Sequence, residues 1–344
     1  MTDLIVNRYT LPDWHPTKTV VMVYPHKIVG REPLVSFYDK LLLYIPSEIK
    51  IILLVRNRSS EKLIRNWCYE IGLVTEIEVK VYPDLFDIWI RDYAPLISQE
   101  CGVNIPVKFL YRPSYVGGKY GDYIKDEDKL GEKLGIELVY GGIRFVEFIW
   151  DMGNLTHNGA GVAIISNKFI ADNQENNVEH ELKPILHVFC GFSKIIFIPT
   201  EPGDKTGHVD GMVRFIDEKV LVVGAYPPGS RNHTFMNILT KNLSQDLGDD
   251  YTIIRLENGE CEDLETEGIA SAYGNHMNFL RLGNKILMPS YGQAISQKPI
   301  DMFKNDLAFH NLDIEVVPVE ISEIKDLARL GGVLNCITWQ VFHS

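Results

Sequence analysis

Two strand-like apolar runs, a helical stretch and a third strand-like run follow one another along this chain, and the series then recurs at a period of roughly 60–70 residues. Thr19–Pro25, Ser36–Ile45 and Ile49–Val55 read as strand, helix and buried strand. A helix opens after Ser59-Ser60-Glu61, with Ser59 or Ser60 as N-cap, and reaches Ile71. Val107–Tyr111, Asp126–Leu134 and Ile136–Tyr140 repeat the alternation. Phe145–Trp150 and Gly161–Ser166 read as a strand pair around Asn158-Gly159, ahead of a helix at Glu179–Val188 and a strand at Lys194–Pro199. A strand pair spanning Val213–Val223, helix His233–Leu247 and strand Tyr251–Leu256 come next. Met277–Leu282 and Lys285–Pro289, helix Asp301–His310 and strand Ile314–Pro318 complete the series. No Pro/Ser-rich linker interrupts it, so the expectation is a single α/β domain over 1–344, with repeats arranged around a common centre.

The 344 residues are 45% hydrophobic and 23% charged, which is ordinary for a globular chain. A formal net charge of −12 argues against nucleic acid and anionic membranes as partners and is compatible with a cationic substrate. The cysteines at 68, 101, 190, 261 and 336 form neither a CxxC pair nor a zinc-type cluster, which suggests free thiols in a reducing compartment. The N-terminal stretch lacks signal-peptide character, and no apolar run approaches the ~20 residues of a membrane span. The expectation is a cytoplasmic protein with no bound metal or organic cofactor; a homodimer is the only protein assembly entertained.

Thr206–Phe215 reads as a turn entering a half-buried strand, on which His208 and Asp210, two apart, would share a face. In Asp87–Pro95, strand spacing groups Asp87, Trp89 and Arg91 and turns Asp92 away unless a bulge intervenes. A structural Arg–Asp pair is the plain alternative there. Asp151, at the end of the Phe145–Trp150 run and beside Gly153, reads on its own as a turn former or helix cap ahead of a ligand group. Cys336 lies just beyond Gly331-Gly332, where backbone amides can face a thiolate, although a buried structural thiol fits the same position. Together these residues supply a thiol, a histidine and several carboxylates far apart in sequence. So many carboxylates suit a planar cation such as a guanidinium, which carboxylates can hold through paired hydrogen bonds.

Trp89-Ile90-Arg91-Asp92-Tyr93-Ala94-Pro95, Gly207-His208-Val209-Asp210 with Arg214-Phe215, Asn278-Phe279, Pro289-Ser290-Tyr291-Gly292 and Gly331-Gly332 through Cys336-Ile337-Thr338 resemble the agmatine deiminase family. That family includes the bacterial, Porphyromonas-type, peptidylarginine deiminases, and the resemblance covers nearly the whole chain. It implies a five-bladed α/β propeller (pentein) of ββαβ units with a central active site. It also implies Cys336 as nucleophile, His208 as general acid/base, and Asp92, Asp151 and Asp210 as carboxylates for the guanidinium. Trp89 and Asn278 fall on the substrate-binding side. Asp151 stands where the family usually carries Glu, and Asn335 where His often precedes the Cys. An Asp-Asn-Trp-Arg-like element is replaced by Lys27–Pro33, and an acidic loop by Ala225–Gly229.

The expected reaction is hydrolytic deimination of a guanidine, with agmatine giving N-carbamoylputrescine and ammonia. Peptidyl or free arginine or another small guanidine is the nearest alternative, and Arg112 or Arg31 would meet the carboxylate of an arginine. Amidino transfer, metal-dependent hydrolysis through His208 and Asp210, and non-catalytic binding are the remaining alternatives.

Overall fold

The computed structural model describes residues 8–25, 34–85, 87–116, 121–139, 142–259, 264–266 and 268–342. The Lys27–Pro33 segment with Arg31, and likewise Tyr140 and Cys261, lie outside the described residues. Among the described residues, five sheets of a mixed α/β fold share one pattern. In each, an antiparallel pair is followed by a strand that returns through a helix and joins in parallel. Leu96–Glu100 pairs antiparallel with Val103–Leu110, and Arg144–Ile149 joins in parallel after helix Gly121–Leu138. Thr156–His157, Val162–Ser166 and Lys194–Ile198 repeat this. So do Val213–Asp217, Val220–Ala225 and Thr252–Glu257, and then Leu280–Leu282, Lys285–Pro289 and Glu315–Val319.

In the fifth sheet, Thr338–Val341 pairs antiparallel with Thr19–Val23, which in turn pairs in parallel with Lys50–Val55. Strand Thr19–Val23 is buried along its whole length. An unbroken apolar run is what a strand covered on both faces requires. The helices close the sheets through apolar stripes at three- and four-residue spacing. Met236, Leu239, Leu243 and Leu247 of helix His233–Leu247 pack on Val213, Phe215, Leu221 and Val223. Ile300, Phe303 and Leu307 of helix Gln293–Phe309 cover Ile286, Met288 and Phe279 in the same way. No described helix is long and apolar enough to cross a membrane.

Several local expectations are corrected. Helix Arg58–Glu70 is capped by Asn57, not by Ser59 or Ser60. Asn57 is extended, and its Oδ1 accepts the Ser60 N–H at 3.0 Å. The part of the expected Ile136–Tyr140 strand that is described is not a strand, because helix Gly121–Leu138 runs through Gly135. The missing side chain there lets the helix sit on Pro95 and Pro106, so that glycine is a packing contact and not a stop. Arg144–Ile149 pairs with Val103–Leu110, whereas Val162–Ser166 takes Thr156–His157 as its hairpin partner. Ile90–Tyr93 is a helical turn, and the strand after His208 begins only at Val213.

Candidate active site

A short segment precedes the first strand of each of the five sheets, and every one of these segments carries a polar group. Asp92 comes ahead of Leu96–Glu100, Asp151 ahead of Thr156–His157, and His208 and Asp210 ahead of Val213–Asp217. Asn278 comes ahead of Leu280–Leu282 and Cys336 ahead of Thr338–Val341. The five segments converge. Residues 244 positions apart along the chain meet there, as in the hydrogen bond from Arg91 Nη2 to Asn335 Oδ1 at 3.0 Å.

Cys336 sits in a cradle built by Asn278. The Asn278 carbonyl oxygen Oδ1 accepts the backbone N–H groups of Val333 and Asn335 at 3.1 Å and of Cys336 at 3.4 Å. Its amide Nδ2 donates to Asp210 Oδ2 at 3.0 Å and to Cys336 Sγ at 3.2 Å. Asn335 Nδ2 donates to the same Asp210 oxygen at 2.7 Å. Gly332 makes room for this arrangement. A Cβ at that position would stand 2.7 Å from the Trp89 ring and 3.0 Å from Cys336 Sγ. Burial pushes the Cys336 thiol well above its ordinary range, and the carboxylates of Asp210 and Asp92 add to the shift. The resting thiol therefore keeps its proton.

The helical turn Ile90–Tyr93 decides the fate of two neighbours. Asp92 turns toward His208, and its Oδ1 lies 3.8 Å from Nδ1. Arg91 turns the other way, to Asn335 and to Asp13 Oδ1 at 3.7 Å, while its own N–H donates to the Cys336 carbonyl at 3.2 Å. Strand spacing had put Asp92 on the wrong side; a helical step places it toward the histidine. Gly153 occupies the gap between the two side chains. Its N–H donates to Asp92 Oδ1 at 3.1 Å, and its carbonyl accepts the N–H groups of Val209 and Asp210 at 3.0 and 3.2 Å. Those last two bonds fold the His208–Asp210 turn against the Asp151 segment.

On its other side His208 Nε2 lies 3.5 Å from Asp151 Oδ2. Burial by itself would depress the imidazole, but the charges of Asp92, Asp151 and Asp210 outweigh it and push His208 up to about 10. Burial, reinforced by Asp151 and Asp210 and partly offset by His208, raises Asp92 to about 7. The site therefore offers an imidazolium among carboxylates, beside a neutral thiol.

Arg112 stands apart from this cluster. Its Nη1 donates to Asp128 Oδ2 at 2.9 Å and to the Tyr111 carbonyl at 2.6 Å. Asn278 lies under the thiol, and Trp89 forms the wall against Gly332. Sequence reading missed Tyr115, whose hydroxyl donates to Asp151 Oδ2 at 3.0 Å and lies 3.4 Å from His208 Nε2. It also missed the bridging part of Asn335 and the spacer Gly153. Gly153 had a signal, since a glycine two residues after a candidate acid marks close approach; Tyr115 had none. Among the described residues, no group of three or more His, Cys, Asp or Glu side chains is arranged to hold a metal ion.

The architecture is that of solved agmatine deiminases. An agmatine deiminase of C. jejuni superposes with a TM-score of 0.77 at 18% identity, covering 98% of this chain and 96% of that one. A cysteine-to-serine variant of the C. jejuni enzyme with substrate bound gives 0.78 at 17%, covering 98% and 96%. An agmatine deiminase of Enterococcus faecalis gives 0.78 at 16%, covering 97% and 95%. No curated protein matches the sequence. Fold and family define the class: a hydrolase acting on carbon–nitrogen bonds of linear amidines. The chain belongs to the Porphyromonas-type peptidyl-arginine deiminase family, which it matches over residues 9–341.

Proposed function

We propose that this chain hydrolyses a small guanidine through Cys336, with agmatine as the substrate and N-carbamoylputrescine and ammonia as products. One observation carries the reading: a buried thiol and an imidazolium stand among three carboxylates delivered by separate segments. A guanidinium bound by Asp92, Asp151 and Asp210 brings positive charge beside a thiol held neutral by negative charge, and the thiol then sheds its proton. The thiolate adds to the guanidinium carbon, His208 hands its proton to one NH2 group, and ammonia leaves from a covalent thiouronium. Neutral His208 next takes a proton from water as its oxygen attacks. Cleavage of the carbon–sulfur bond frees the ureido product, the hydroxyl proton of the adduct passes to the departing sulfur and restores the resting thiol, and the proton that the thiol released to solvent at the start turns the ammonia into ammonium.

The same reading takes the five sheets as blades of one domain around a central axis. Their shared strand pattern supports this, as does the pairing of Thr338–Val341 with Thr19–Val23. Agmatine is favoured over arginine because the Arg112 guanidinium is committed to Asp128 and to the Tyr111 carbonyl. The free thiols of Cys68, Cys101, Cys190 and Cys336 fit a reducing, cytoplasmic setting.

The test is release of ammonia and ureido product from agmatine, free arginine, a peptide ending in arginine, and methylguanidine. Turnover of agmatine above the others supports the proposal. Preference for another guanidine keeps the chemistry and replaces the substrate, and silence across the panel removes the catalytic reading.

A further inference from the structure

Asp151 and His208 face each other at a separation that is poor for a hydrogen bond. The 3.5 Å between Asp151 Oδ2 and His208 Nε2 is well beyond the ordinary N–H···O range of about 2.7–3.2 Å. Tyr115 fills the triangle. Its hydroxyl donates to that same Oδ2 at 3.0 Å and stands 3.4 Å from Nε2, with the phenol ring edge-on to the imidazole at a centroid distance of 6.0 Å. Burial, with the Asp151 charge next, holds the phenol well above its ordinary range, so the hydroxyl keeps the proton it donates.

The outer side of the ring is buttressed. Lys168 Nζ lies 5.6 Å from the Tyr115 ring centroid, and it is tied to both Asp172 oxygens at 2.8 and 2.9 Å and to Ser114 Oγ at 2.6 Å. The aliphatic stem of Lys168 also lies beside Gly207, the residue before the histidine. The clamp thus touches the His208 turn and the Tyr115 loop together.

We propose that Tyr115 is a positioning residue, whose hydroxyl holds Asp151 back from His208 so that the imidazolium proton stays shared and transferable. This rests on the deiminase reading of the site. The competing effects can be ranked. The bond to Asp151 is charge-assisted and well within range, whereas any bond accepted from His208 at 3.4 Å is weak. Removing the hydroxyl therefore acts mainly by releasing Asp151, which can then pair directly with the imidazolium. The charged and titratable groups facing His208 are Asp92, Asp151, Asp210 and Tyr115, and of these only the pairing of Asp151 changes.

The experiment follows the His208 ring nitrogens by NMR titration in the full chain, wild type against Tyr115→Phe, with turnover of agmatine measured beside it. Tyr115→Phe is expected to raise the imidazole pKa by about 0.5–1 unit and to lower turnover by about tenfold. An aspartate-to-glutamate change supplies the second arm. The longer side chain of Asp151→Glu can reach Nε2 past the hydroxyl, so this change should itself raise the imidazole pKa and lower turnover, and adding Tyr115→Phe in that background should cost about twofold or less. An unmoved titration in Tyr115→Phe, or an equal loss in both backgrounds, overturns the proposal and leaves Tyr115 a packing residue. The titration needs no turnover, so an inactive chain would count against the deiminase reading alone.

Discussion

Asn278 grips Cys336 at both ends: its Nδ2 donates to Sγ at 3.2 Å while its Oδ1 accepts the Cys336 N–H at 3.4 Å. The same amide joins Asp210 at 3.0 Å, so one side chain fixes the thiol, its loop and a carboxylate. Asn278→Ala leaves the N–H groups of Val333, Asn335 and Cys336 without this acceptor in a buried loop. We expect a loss of about 2–4 kcal/mol in urea unfolding and faster alkylation of Cys336 as the loop loosens. Unchanged stability would show that water replaces the amide without cost.

The thiol should respond to the charge of its attacker. Buried beside Asp210 and Asp92, Cys336 is held neutral at rest. A cationic haloacetamidine, which brings its own positive charge, should modify it on the order of a hundredfold faster than neutral iodoacetamide at pH 7. Cys336→Ser should abolish labelling by both reagents at this site. Equal rates in the wild type would mean that the carboxylates do not govern the thiol.

Gly153 sets the gap between acid and imidazole. A Cβ there would stand 2.6 Å from Asp92 Oδ1 and 2.6 Å from His208 Nδ1, and one or both must move. Gly153→Ala should lower kcat by about a hundredfold with a much smaller change in thermal midpoint. Full activity in this variant would disprove a need for the observed spacing.

Stability should fall as pH rises. His208 titrates at 6.5 in the unfolded chain and at about 10 in the folded protein, so folding retains a proton between those values. Its stabilisation is complete below 6.5 and lost by pH 10, at a slope of at most about 1.4 kcal/mol per pH unit. Asp92, raised from 3.8 to about 7, contributes with the same sign in its own lower window, because the folded form again holds the extra proton. Urea unfolding across pH 7–10 measures the slope, and His208→Asn should flatten it.

The sequence marked the titratable groups of the site more clearly than their arrangement. Cys336 beyond its glycine pair, and His208 with Asp210, were legible because glycine and titratable side chains leave local marks. Asp92 was misdirected, since an apolar-polar alternation around Trp89 looks the same whether the backbone is extended or takes one helical turn. Docking of Arg91 on Asn335 and Asp13 selects that turn, and neither partner is near in sequence. Tyr115 was invisible for the same reason: only its meeting with Asp151 and His208 distinguishes it from other surface-loop aromatics. The repeated strand pattern survived because it depends on residue spacing within each unit. The break expected at Gly135 did not, because a glycine can serve tight packing as well as a turn.

Cys336 arrives just ahead of the strand that completes the sheet begun by Thr19–Val23. As the polypeptide emerges from a ribosome, Asp92, Asp151, His208, Asp210 and Asn278 are all made before it. The nascent chain thus carries the acids and the imidazole before the Cys336 thiol exists, and Thr19–Val23 waits for its antiparallel partner. Synthesis order alone keeps the thiol from meeting the acids until the last sheet closes.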